Sequence, residues 1–196
     1  TQRWNETKPM RTPRHGHAAV SLGNSIVVMG GYNATCGSLS SAEHYSTTSR
    51  QWSGFPSMNE ARSRCAAAVL NGKIIVVGGC DRNHNILSSA EEYDPTTGVW
   101  SSIPPMHHKR FGCAAAVLDG QLYVVGGYDG NNGLLSAEVY NPTTKGWSVI
   151  TNMNHKRSSC AAVSLCGKVI VVGGHDGGGK CLAACEAYNP ATRQWS

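Results

Sequence analysis

Arg110-Phe111-Gly112-Cys113-Ala114-Ala115-Ala116-Val117-Leu118-Asp119-Gly120-Gln121-Leu122-Tyr123-Val124-Val125-Gly126-Gly127 is the stretch that decides the fold. A run of small apolar residues meets an Asp-Gly pair, and a second apolar run ends on two glycines. Asp-Gly suits a two-residue hairpin turn, because both central residues of such a turn need positive φ. The second run reads as a strand buried on both faces. The glycine pair marks a place where φ is unusual or a side chain would not fit.

The same arrangement recurs along the chain. The glycine pairs Gly30-Gly31, Gly78-Gly79, Gly126-Gly127 and Gly173-Gly174 keep step with Trp4, Trp52, Trp100, Trp147 and Trp195, which are spaced 48, 48, 47 and 48 residues apart. Glu43, Glu91, Glu138 and Glu186 each stand two residues before a tyrosine (Tyr45, Tyr93, Tyr140, Tyr188). Met10, Met58, Met106 and Met153 repeat, and so do Arg14, Arg62, Arg110 and Arg157. Independent markers in phase over the whole chain define a repeat architecture. Each unit reads as four short strands, and the Pro-containing turns Asp94-Pro95-Thr96-Thr97 and Asn141-Pro142-Thr143-Thr144 precede the tryptophan strand. Ser46-Thr47-Thr48 replaces that turn in the first unit. A sheet this small cannot bury both faces alone, whereas sheets stacked radially can.

The glycine pair after an apolar run, then Tyr, then Trp, resembles the kelch family over essentially the whole chain. The resemblance implies an all-β propeller of four four-stranded antiparallel blades. The repeats run 11–58, 59–106, 107–153 and 154–196, with residues 1–10 as the end of a preceding blade. The family's rings usually carry five to seven blades, most often six. The preferred expectation is a section of a larger ring, and the alternative is a closed four-bladed ring. An open ring would leave apolar faces and unpaired edges on its terminal blades.

Composition narrows the function. Hydrophobic residues make up 40% of the chain, charged residues only 15%, and Gly 23 of the 196 positions. That favours short strands and tight turns over helices. No stretch approaches the ~18 apolar residues of a membrane span, and Thr1-Gln2-Arg3-Trp4 does not read as a signal peptide. The net charge of +5 is scattered, which argues against a nucleic-acid footprint and suits acidic partners. Cys65, Cys113 and Cys160 occupy one repeat position, where His17 stands in the first unit. A small core side chain explains this better than pairing, so free thiols and a reducing, cytoplasmic setting are expected.

No nucleophile elbow or phosphate-cradling loop is present. Cys166, His175, Cys181 and Cys185 form the one cluster worth weighing for zinc, and their spacing is irregular. No metal or other cofactor is expected. Some kelch propellers are copper oxidases, sugar epimerases or iron-dependent specifier proteins. The short, near-uniform loops and the lack of a Glu-x-x-x-Asp-x-x-x-His arrangement argue against an enzyme here. The Trp, Tyr, Glu and Met markers read as structural. By resemblance to kelch proteins that capture peptides, the strand-end loops form a shallow basin around the channel. Carried over by position, that basin comprises Arg14, His15 and Tyr32, then Arg62, Ser63 and Arg64, then Arg110, Phe111 and Tyr128, and finally Arg157, Ser158 and His175, with Cys80 beside them. Guanidinium groups with hydroxyls and aromatic rings suit a protein or acidic peptide. The competing reading is that the arginines only brace neighbouring carbonyls. A structural subunit held through its terminal blades is the alternative function.

Overall fold

The computed structural model describes residues 6–196. Arg3, Trp4 and Asn5, the expected tail of a preceding blade, lie outside the described residues.

The hairpin logic of the sequence builds four sheets in series. Blade I comprises β1 (Ala18–Leu22), β2 (Ser25–Met29), β5 (Ala42–Ser46) and β6 (Gln51–Phe55), with a small extra hairpin of β3 (Tyr32–Asn33) and β4 (Gly37–Ser38). Blade II holds β7 (Ala66–Leu70), β8 (Lys73–Val77), β9 (Ala90–Asp94) and β10 (Val99–Ile103). Blade III holds β11 (Ala114–Leu118), β12 (Gln121–Val125), β13 (Ala137–Asn141) and β14 (Gly146–Ile150), and blade IV holds β15 (Ala161–Leu165), β16 (Lys168–Val172), β17 (Cys185–Asn189) and β18 (Gln194–Trp195). Each strand pairs antiparallel with the next in its blade. In blade III, Ala114 faces Val125 and Leu118 faces Gln121 across the first turn.

The turns follow residue chemistry. Asp119 and Gly120 both take positive φ (49° and 69°), as do Asn71 and Gly72 (50° and 78°). In blade I only Gly23 does (57°), so the first turn uses the mirror form with glycine first. Ser46 replaces the Asp-Pro turn without losing it. Its hydroxyl accepts from Ser49 N–H at 3.2 Å, as the Asp94 carboxylate accepts from Thr96 N–H at 2.8 Å.

Alternate side chains of each blade point to opposite neighbours, as a period of two requires. Ala67, Val69, Ile74, Val76, Tyr93 and Trp100 of blade II pack back onto blade I, while Ala66, Ala68, Leu70, Ile75, Val77 and Ala90 pack forward onto blade III. A third cluster joins blade III to blade IV through Tyr123, Val125, Val169, Val171 and Tyr188. Among the described residues no fourth cluster joins blade IV to blade I. The tryptophans seal these contacts: Trp100 Nε1 donates to Pro56 O at 2.9 Å and Trp147 Nε1 to Pro104 O at 2.7 Å. The rings of Trp52, Trp100, Trp147 and Trp195 also pack against the Tyr ring of their own blade, as in Tyr140–Trp147 at 5.1 Å. Among the described residues no helix is long and apolar enough to cross a membrane.

Candidate loop-face binding site

The two residue series expected at the loop face are joined blade by blade. His15 and Tyr32 exchange main-chain hydrogen bonds at 3.1 and 2.8 Å, as do Ser63 with Cys80 (3.0 and 2.9 Å), Phe111 with Tyr128 (3.0 and 2.8 Å) and Ser158 with His175 (2.9 and 2.8 Å). Inside them runs a third series: Gly16, Arg64, Gly112 and Ser159. All four are left-handed, with φ of 61°, 51°, 65° and 53°. Their amides form a chain around the inner rim. Arg64 N–H donates to Gly16 O (2.6 Å), Gly112 N–H to Arg64 O (2.8 Å) and Ser159 N–H to Gly112 O (2.7 Å).

Arg64 stands on this inner rim with its side chain exposed and its guanidinium 5.1 Å from the centre of the Phe111 ring, within cation–π range. His15, Tyr32, Ser38, Ser63, Arg64, Cys80, His84 and Phe111 line a hollow of about 300 Å³. Ser38 and His84 are additions that the repeat could not reveal, because both come from the variable stretch after the glycine pair. Ser63 lines the wall with its hydroxyl already engaged: Ser38 Oγ donates to it at 3.0 Å, and the residue is 7% exposed.

The arginines expected beside them are not part of this surface. Arg62, Arg110 and Arg157 are fully buried and Arg14 is 9% exposed. Arg110 Nη1 donates to Gly126 O at 2.7 Å and Ser136 O at 2.9 Å, while Nη2 donates to Ser136 Oγ at 3.0 Å and Glu138 Oε1 at 2.9 Å. Arg14, Arg62 and Arg157 repeat this scheme on Glu43, Glu91 and Glu186. Among the described residues Arg14 Nε is the one guanidinium donor of the four left buried without a partner; the other donors are consumed inside the blade, which suits the bracing reading at all four positions. A buried charge needs such pairing to be tolerated at all. Burial by itself would push the Glu138 carboxyl up. The His107 main-chain N–H and the Arg110 guanidinium outweigh it and hold the group below the usual carboxylate range. Glu43 and Glu186 are lowered against burial in the same way. The exposed His107 and His108 also reach this carboxylate, with their Nδ1 atoms 2.8 and 3.2 Å from Glu138 oxygens.

All eight cysteines are unpaired. Burial pushes the Cys65 thiol up to about 11 and Cys113 up to about 12, which makes both poor nucleophiles. His175 and Cys181 share a β-bridge, but Cys166 and Cys185 do not join them in a metal-holding group. Among the described residues no three His, Cys, Asp or Glu side chains converge in a metal-holding group.

Four blades of one hydrogen-bonding scheme, each with Gly-Gly, Tyr and Trp in fixed places, are matched by a family profile. The profile of the KLHDC2/KLHL20/DRC7 kelch-repeats domain covers residues 16–196. The chain belongs to the kelch-repeat family. Among curated proteins none matches it. The kelch propeller is a fold commonly used for protein–protein interaction and is typically non-enzymatic. Fold alone selects no partner, so the loop face has to be read from its own side chains.

Proposed function

We propose that this kelch propeller is a non-catalytic interaction module that captures a protein or acidic peptide on its loop face, centred on Arg64. The observation that carries this reading is an exposed, left-handed arginine held over Phe111 beside a hollow rimmed by His15, Tyr32 and His84. An exposed guanidinium pairs bidentately with a carboxylate, and the surrounding rings offer rigid contact area. Tyr128, Ser158 and His175 extend the same face towards blade IV. Neither nucleic acid nor membrane is part of this reading. A reducing, cytoplasmic setting accords with eight unpaired thiols.

Affinity capture with the wild-type chain and with Arg64→Glu tests the proposal. Lys145→Glu, on the opposite end of blade III, serves as the control. Partners retained by wild type and Lys145→Glu and lost with Arg64→Glu support it. Identical partner sets for all three proteins exclude this face. The alternative of a structural subunit held through its terminal blades draws on the exposed flank of blade IV.

A further inference from the structure

On the outer side of each internal blade junction the repeat sets the same positions around one groove. The last residue of the outer strand pairs with an alanine of the strand beside it: Phe55 with Ala42, Ile103 with Ala90 and Ile150 with Ala137. The next blade supplies a tyrosine (Tyr93, Tyr140 or Tyr188) and, in its last turn, a left-handed residue. That residue is Gly98, Lys145 or Arg193, with φ of 72°, 51° and 57°. Between blades I and II the Phe55 ring occupies this place, 4.6 Å from the Tyr93 ring. The smaller Ile103 and Ile150 leave hollows of about 350 and 570 Å³. Both hollows have a cation at the lip, Lys145 or Arg193, where the filled junction has Gly98.

The groove between blades III and IV carries no carboxylate among its lining residues. Val139 and Ile150 give it an apolar wall, and Val149 at its rim is 51% exposed. The buried Tyr123 and Tyr188, with ring centres 6.0 Å apart, form its base. Among the described residues Arg193 hydrogen-bonds through its main chain only. Its carbonyl accepts from Thr151 Oγ1 at 2.9 Å and its N–H donates to Asn189 O at 2.8 Å. The exposed guanidinium is therefore available to a ligand. Burial pushes the Tyr188 hydroxyl up and Arg193 pulls it the other way, so the cation acts on the base of the groove. The groove between blades II and III differs in charge. Lys73 there is held by Glu92 Oε1 at 2.6 Å and Asp94 Oδ2 at 3.0 Å, which keeps the Glu92 carboxylate in the wall. Blades II and III alone line that groove although blade IV follows them. A groove of this kind is thus complete with two blades.

We propose that the groove between blades III and IV binds a small organic anion with an apolar body. The body lies against Val139, Ile150 and the two tyrosine rings, and the anionic end meets the Arg193 guanidinium. An apolar hollow of a few hundred Å³ with a small number of placed polar groups is the ordinary form of a small-molecule site. A guanidinium adds direction, because it pairs with a carboxylate through two parallel N–H donors. The site lies on the outer side of the blades, away from the Arg64 hollow, and does not depend on capture of a partner there.

NMR titration of the isotope-labelled chain with phenylpropionate tests this, with phenylpropanol and phenylpropylamine as neutral and cationic probes of the same body. The anion is expected to give saturable shifts of the Val139, Ile150 and Thr151 amides. The neutral and cationic probes should bind at least about tenfold more weakly, the loss of one charge-assisted contact. Ile150→Phe transplants the blade I residue into the groove and should abolish the shifts, with circular dichroism checking that the fold is kept. Arg193→Ala removes only an exposed side chain and should weaken binding about tenfold. Ile103→Phe fills the other groove and should leave binding unchanged. A wild type without saturable shifts at these amides overturns the inference. So does a neutral probe that binds as well as the anion, a folded Ile150→Phe or Arg193→Ala protein that binds like the wild type, or loss of binding in Ile103→Phe.

Discussion

Arg110 and Phe111 are adjacent in the chain and opposite in fate. Arg110 turns inward, is fully buried and meets four acceptors of its own blade, while Phe111 turns to the loop face and supports Arg64. One residue along an extended chain reverses the side a side chain faces. The repeated residue therefore braces the blade and its variable neighbour faces outward. Regularity in a repeat marks load shared by every blade, and variation marks the surface free to specialise.

The sharpest break of this comparison is Arg110→Ala. Removing one partner of a buried ion pair leaves Glu138 uncompensated, with an expected loss of about 3–5 kcal/mol in denaturant unfolding. A variant of wild-type stability would show that the brace is dispensable. Next come the glycines. Gly78→Ala and Gly173→Ala both place a side chain at positive φ, a strain of about 1–3 kcal/mol, and only Gly78→Ala also strikes the Arg110 carbonyl. Thermal melts should rank Gly78→Ala as the more damaging, and equal losses would mean that blade III does not press on that turn.

Acid sharpens the same contrast. Glu43, Glu138 and Glu186 have folded pKa values below their unfolded ones. Their contribution is complete above the ordinary glutamate range, about 4.3, and is lost as pH falls through that range and below it. Stability measured downward from pH 6 should fall, and Glu138→Gln should flatten part of that slope. Thiol labelling of the native protein separates the cysteines without a mutation: Cys36, Cys166, Cys181 and Cys185 are exposed and should react quickly, while Cys65 and Cys113 should wait for unfolding. The smallest stability effect belongs to the loop face. Arg64→Ala is expected to shift unfolding by about 0.5 kcal/mol or less while abolishing partner capture. A larger shift would move Arg64 from the binding surface to the scaffold.

Repetition made the four strands, their turns and the glycine pairs readable, because the same local chemistry solves the same local problem four times. It also singled out two series that the structure joins: the residue after each arginine pairs with the residue after each glycine pair. It misassigned the arginines themselves. A conspicuous cation in phase with a loop gives no sign of the carboxylate 28 or 29 residues later that consumes it. Ser38 and His84 were invisible for the opposite reason, since no repeat position announces them.

The amino-acid order alone determined the blade, because hairpin turns, alternating faces and a glycine pair are set by residues close along the chain. Only the tertiary structure decided which guanidinium groups are spent, which flanks are covered and which hollow stays open. Those outcomes depend on groups from different blades meeting in space, and in this structure they leave Val163, Leu165 and Val172 facing outward.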